Sequence, residues 1–98
     1  MAKDKLPVIE RQFTKAEKII RKKEELEKLK KDSPFKNLCL GIIRYINNDH
    51  DAGCTAIYRV YSVSPQNMKD NRYTNYIKQR LRVIKNPLLA QTNLFATS

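Results

Sequence analysis

Residues 33–46 have the sequence SPFKNLCLGIIRYI, in which the apolar side chains follow the spacing of an α-helix. Counted from Phe35, they recur at i, i+3, i+4, i+7, i+8 and i+11, which places them on one helical face. The Ser33 hydroxyl is suited to cap the first turn, and Pro34 is favoured at the first helical position. The pattern therefore predicts a helix over Phe35–Ile46 at the centre of the core.

The size and composition of the chain limit its architecture. It has 98 residues, of which 41% are hydrophobic and 31% charged, enough for one domain with a modest core. Its longest apolar run, Leu38–Ile43, is far shorter than the ~20 residues that a membrane span needs. Met1–Pro7 is charged and no apolar segment follows it, so we expect no secretory signal, no membrane partner and a cytoplasmic location.

The net charge of +10 indicates an anionic partner, such as nucleic acid, an anionic membrane surface or an acidic protein. The surplus is largest near the C-terminus, where residues 65–98 hold six Lys and Arg against one acid. Residues 33–64 hold three cations against two acids. Residues 1–32 hold eleven cations and seven acids, a mixture typical of a solvated helix.

The N-terminal segment, residues 1–32, is predicted to contain a long, charged, amphipathic helix. Thr14 and Glu17 have the spacing of a capping box, which predicts a helix from Thr14 to about Lys31. The apolar stripe of this helix is thin, so it could rest on a core, project into solvent or pair with a second copy. A homodimer would form through Ile19, Leu26 and Leu29.

The stretch from Ala52 to Tyr61 is predicted to form a short helix that Asp51 caps. Residues 55–63 are also rich in β-branched and aromatic side chains, which favour strands. A strand needs a partner, and the chain has no second strand-like run. We therefore favour the helix and keep the strand as the alternative.

A final helix is predicted from Pro65 to Ile84, with Ser64 as its cap. Asn86 precedes a proline and should end the helix. Residues 33–90 would then form one domain, and residues 91–98 a tail. The predicted fold class is all-α, a small bundle of three to four helices that follows the long charged helix.

Projected on a helix, the last segment has two faces of opposite character. One face carries Tyr73, Ile77, Leu81 and Ile84, and the other carries Asn67, Asn71, Asn75, Lys78 and Arg82. Asparagine is a poor helix former, but it pairs with adenine in the major groove, as arginine pairs with guanine. The polar face is therefore a candidate DNA-reading surface. The rival interpretations are a solvated face, a protein-binding face, or a helix that begins later, near Tyr73.

In the DNA-binding hypothesis the polar residues have two roles. The candidates for contact with base edges are Gln66, Asn67, Asn71 and Asn75. The candidates for contact with phosphates are Arg59, Lys69, Arg72, Lys78, Arg82 and Lys85. A short helix, a tight turn over Ser62–Ser64 and a longer basic helix have the order of a helix-turn-helix.

These segments carry a family resemblance. Asn47-Asn48 precedes residues 56–62, AIYRVYS, and residues 80–87, RLRVIKNP, end the last helix. In these motifs the chain resembles the N-terminal helix-turn-helix domain of phage small terminase subunits, although Tyr61 stands where that family often has glycine. The resemblance implies a phage or mobile-element protein that binds duplex DNA.

Catalytic and metal-binding patterns are not recognisable in the sequence. His50 and Cys54 are four residues apart, but with Cys39 they do not supply the four ligands of a structural zinc site. No nucleophile–base pair or glycine-rich phosphate loop is present. We expect a protein that is not an enzyme and holds no metal or cofactor.

Two other functions remain open. The long charged N-terminal helix would suit an interaction or inhibitor protein that binds a host or phage assembly. Structured RNA is a further candidate partner, because charge alone does not distinguish it from DNA.

Overall fold

The computed structural model describes residues 4–90, and the predicted tail, 91–98, lies outside them. The described residues form five α-helices and one 3₁₀ turn, with no strand among them, so the all-α prediction is confirmed. The helices are α1 (Leu6–Ile20), α2 (Lys23–Lys28), α3 (Pro34–Ile46), α4 (His50–Tyr61) and α5 (Asn71–Ala90), and the 3₁₀ turn is Met68–Asp70. Within this range, no helix is both long enough and apolar enough to cross a membrane.

Helix α3 lies at the centre of the core, as its apolar periodicity predicts. Leu38, Cys39 and Ile42 are fully buried. The Ser33 hydroxyl accepts a hydrogen bond from the Lys36 backbone nitrogen at 3.2 Å, so the predicted cap is also present. Cap, proline and stripe all favour the same helix, and it forms within one residue of the predicted start.

Helices α3 and α4 cross at the two glycines of the chain. A Cβ on Gly53 would lie 2.8 Å from the Gly41 carbonyl oxygen and 2.8 Å from the Tyr45 backbone nitrogen. A Cβ on Gly41 would lie 2.7 Å from Cγ1 of Ile57. Side chains larger than hydrogen would therefore hold the two helices apart. Residues 50–61 form a helix and not a strand, which confirms the favoured interpretation of this segment.

The predicted N-terminal helix, Thr14 to Lys31, is wrong in both bounds. Helix α1 begins eight residues earlier, at Leu6, and Lys22 adopts an extended conformation that separates α1 from α2. Thr14 is not a cap, because it lies inside α1 and its hydroxyl donates to the Glu10 carbonyl oxygen at 3.1 Å. The earlier start adds an apolar face that the prediction omitted. Four fully buried residues form it: Ile9, Phe13, Ala16 and Ile20.

The proposed dimer residues belong to the chain's own core. Leu26 on α2 is only 9% exposed, and Ile19 and Leu29 are partly buried against the same cluster. Their apolar surface is therefore largely used within one molecule. Helix α1 packs into this core with α3 and α5, so the charged segment is neither projecting nor fully solvated.

The last two helices differ from prediction at their ends. Helix α4 begins at His50, and its N-cap position is Asp49, two residues before the predicted cap, Asp51. Helix α5 begins at Asn71 and not at Pro65, and it continues through Pro87 to Ala90. The expected end at Asn86 is therefore wrong: Pro87 has no N–H to donate and costs the helix one backbone hydrogen bond, but the helix continues past it.

Nine residues, Ser62–Asp70, join α4 to α5 in place of the predicted tight turn over Ser62–Ser64. Ser62 is left-handed at φ 54°, and Val63 is buried, which turns the chain back onto the core. The Asp70 carboxylate accepts from the Ser64 backbone nitrogen at 2.8 Å. Ser64 therefore starts a closed loop and does not cap a helix.

Candidate nucleic-acid interface

Helix α5 is held in one rotational orientation by its apolar face. Ile77 and Leu81 are fully buried, and Ile84 is 1% exposed. The polar face opposite them lies on the surface, as the sequence predicts. Four exposed residues spaced at i, i+4, i+7 and i+11 make up this surface, the α5 stripe: Asn71, Asn75, Lys78 and Arg82.

The cations of α5 divide into two groups. Arg72 pairs with Asp4 at 3.2 Å, and Arg80 pairs with Glu17 of α1 at 3.6 Å. The side chains of Lys78 and Arg82 form no ion pair or hydrogen bond with any other described residue. Since residues 71–90 contain no Asp or Glu, the α5 stripe is positive without internal compensation.

The pairs on the α1 side tie the two helices together. Arg80 also donates to the Tyr76 hydroxyl at 3.1 Å and to the Thr14 hydroxyl at 3.3 Å. The Leu6 backbone amide, the Tyr73 hydroxyl and Arg72 together lower the pKa of Asp4. The cations that face α1 are therefore structural, and the cations of the α5 stripe are available.

Lys85 extends the α5 stripe by one turn, but its ammonium group has partners. It donates to Oδ1 of Asn48 at 3.0 Å and lies 2.8 Å from Nε2 of His50. These contacts fasten the C-terminal part of α5 to the turn between α3 and α4. A phosphate at Lys85 would compete with both.

The remaining predicted site residues lie away from the α5 stripe. Gln66, Asn67 and Lys69 precede α5, in the connecting loop, and all three are exposed. The Asn67 side chain accepts from the Lys69 backbone nitrogen at 3.0 Å, so Asn67 caps the 3₁₀ turn and is not a member of the α5 face. The Arg72 side chain is on α5 but is directed toward Asp4.

Arg59 lies on a different surface, a cleft between α3 and α4 that sequence reasoning missed. Its volume is about 360 Å³. Arg44 and Leu40 of α3 line it with Arg59, and no described residue of α5 does. In the sequence, Leu40 and Arg44 are merely positions outside the apolar face of α3, and no pattern indicates that they meet residues of α4.

Tyr58 and the two cysteines of α3 and α4 are buried or partly buried. Tyr58 is 8% exposed, and burial raises its pKa to about 12. Burial also raises the pKa of Cys39 to about 11 and raises that of Cys54. Both thiols are therefore protonated at neutral pH, and Tyr58 offers little ring surface for base stacking. Within residues 4–90, no three His, Cys, Asp or Glu side chains are placed to share a metal ion.

Comparison of the chain with protein families, with curated proteins and with solved structures finds no match in any of the three. The resemblance to phage terminase subunits therefore stays a prediction from the sequence motifs.

Proposed function

We propose that the protein binds duplex DNA through the α5 stripe, with α5 lying in the major groove. The observation that carries this proposal is the exposed row of two amides and two unpaired cations on a helix whose opposite face is buried. The core fixes the rotation of α5, so the row is preorganised before any partner arrives.

The dimensions of the α5 stripe suit the groove. An α-helix with its side chains is about 10–12 Å across and enters a major groove about 12 Å wide, and the α5 stripe runs about 17 Å along the helix axis at 1.5 Å per residue. Asn71 and Asn75, nearest the helix N-terminus, are placed for amide contacts with adenine edges. Lys78 and Arg82 follow them along the same face and would contact phosphates.

The electrostatics support a nucleic-acid partner. Lys69 is exposed just before α5 and adds a third cation near the amide end of the α5 stripe. If these three cations each neutralise one phosphate, log K falls with log salt at a slope of about −3. We place the protein in the cytoplasm, where a phage or mobile-element protein would meet duplex DNA.

The experiment is fluorescence anisotropy with labelled duplex DNA, single-stranded DNA and duplex RNA at several salt concentrations. Arg82→Ala should weaken binding to every duplex and reduce the salt slope by about one. The Asn71→Ala/Asn75→Ala variant should change the sequences selected from a randomised duplex pool. Lys18→Ala, which removes one exposed cation from α1, is the matched control and should leave both properties unchanged.

Two results would contradict the proposal. One is an unaltered sequence preference in the double asparagine variant, together with equal losses in Arg82→Ala and Lys18→Ala. The other is tighter binding to duplex RNA than to duplex DNA, since the amide contacts need a major groove that A-form RNA does not open to side chains.

A further inference from the structure

The cleft between α3 and α4 has an apolar floor. Gly41 of α3 and Ala56 of α4, which lie where the two helices meet, form this floor. Leu40 and Val60 supply larger apolar surface at its sides. Leu40 is 42% exposed, which makes it one of the few large apolar side chains on the described surface. About 360 Å³ of volume is enough for one or two side chains of a partner.

The rim of the cleft is cationic. Arg44 of α3 and Arg59 of α4 both line it, and both are exposed. Neither guanidinium group forms an ion pair or hydrogen bond within residues 4–90, whereas those of Arg72 and Arg80 each pair with a carboxylate. No acidic residue is among the described residues that line the cleft. A guanidinium group binds a carboxylate through two parallel hydrogen bonds, so the rim is suited to acidic side chains.

We propose that this cleft docks an acidic segment of a partner protein, with an aliphatic or aromatic side chain against Leu40 and neighbouring carboxylates on Arg44 and Arg59. The apolar floor favours a peptide, because a phosphate backbone has no apolar group to bury there. The charge of the rim requires that the segment be acidic.

A second copy of this chain fits the cleft less well. The most acidic run of the chain is α2, KEELEK, and its one leucine, Leu26, is buried in its own core. A second copy therefore offers acids there without an exposed apolar neighbour.

The cleft and the α5 stripe have no residue in common. Ala56, Arg59 and Val60 line the cleft with residues of α3, and no described α5 residue takes part. The two proposals therefore rest on different residues, and each can fail without the other.

The test selects random dodecapeptides, displayed on phage, for binding to the full-length protein. Enriched peptides should carry Asp or Glu within four residues of an aliphatic or aromatic residue. Their affinity, measured by anisotropy, should fall about tenfold or more in Arg44→Glu, because this variant loses one charge-assisted hydrogen bond to the peptide. Leu40→Ser should also lower the affinity for these peptides. Neither variant should alter duplex DNA binding.

Two matched controls make the same charge change elsewhere: Lys18→Glu on α1 and Lys78→Glu on the α5 stripe. Retained peptide affinity in both supports the cleft. Loss in Lys78→Glu with retention in Arg44→Glu would overturn the proposal, as would a selection without enrichment.

Two further outcomes identify other occupants and also overturn it. If Arg44→Glu weakens duplex binding as much as Arg82→Ala does, the cleft holds a phosphate. If light scattering shows a dimer that Leu40→Ser dissociates, the cleft holds a second copy. Circular dichroism confirms that each variant is folded before it is used.

Discussion

Replacement of Gly53 by alanine should destabilise the fold, although alanine is the better helix former. The new Cβ would lie 2.8 Å from the Gly41 carbonyl oxygen, 2.8 Å from the Tyr45 nitrogen and 2.9 Å from the Tyr45 Cβ. Two of these are backbone atoms and the third is attached to the backbone, so no side-chain rotation relieves the contact. Helices α3 and α4 must separate instead.

The magnitude follows from two opposing effects. Overpacking costs about 1–3 kcal/mol and more where the backbone has to move, and three short contacts place Gly53 at the upper end. The higher helix propensity of alanine stabilises the folded state by about 1 kcal/mol relative to glycine. The net loss should be about 2 kcal/mol, a large part of the ~5–15 kcal/mol that stabilises a typical domain.

The assay is urea unfolding followed by circular dichroism. At a slope of about 1 kcal/mol per molar urea, the midpoint should fall by about 2 M. Gly41→Ala should also destabilise the fold, because its shortest contact, 2.7 Å, is to Cγ1 of Ile57, a β-branched side chain that is fully buried and has little room to move. Thr55→Ala, on the exposed side of α4, is the control and should be neutral or slightly stabilising. A Gly53→Ala protein as stable as the parent would refute the close crossing.

Two further predictions concern the core. Phe13 is fully buried, and its ring meets that of Tyr76 edge-on, with 6.2 Å between the centroids. Phe13→Ala should therefore lower the free energy of unfolding in urea by about 3–5 kcal/mol, whereas the exposed control Lys18→Ala should lower it little. Equal urea midpoints for the two variants would place α1 outside the core. Burial raises the pKa of Cys39 from 9.0 to about 11, so the unfolded chain loses this proton at lower pH than the folded chain does. Stability should therefore fall as pH rises through this interval, and less so in Cys39→Ala, with unfolding midpoints at pH 8, 9 and 10 as the measurement; the same fall in both proteins would assign it to other groups.

The sequence predicts those helices in which independent local signals agree. For α3, the Ser33 cap, Pro34 and a strong apolar stripe all indicate the same residues. For α5, two caps compete: Ser64 precedes a proline and is the stronger local signal, yet Asn67 and the Asp70 carboxylate shape the loop. The buried position of Val63 favours that loop, and local spacing does not reveal it.

The start of α1 was missed for a related reason. Val8 and Ile9 precede the capping-box motif at Thr14. The motif is the stronger local signal for a helix start, so the sequence predicts a start at Thr14 and not at Leu6. Ile9 is buried only because α3 and α5 approach it in the fold, which is a tertiary effect. The α5 stripe, by contrast, follows from helical periodicity alone, because Ile77 and Leu81 mark the buried side.

The cleft and the glycine crossing could not be predicted from periodicity. Both depend on which faces of α3 and α4 meet. Each glycine is a position without a side chain in a helix. It indicates a close approach of two helices only when the partner helix is known. Arg44 and Arg59 are fifteen positions apart in the sequence and come to one rim through that crossing.

The most direct measurement of the central claim is an NMR titration of the ¹⁵N-labelled protein with a short DNA duplex. Helix α1 also carries exposed cations in a row, at Arg11, Lys15 and Lys18, and serves as an internal comparison. We expect the largest amide shifts, and side-chain amide shifts of Asn71 and Asn75, on the α5 stripe. Shifts that are strongest on the row of cations on α1, or spread evenly over both helices, would contradict the assignment of α5 as the DNA-binding element.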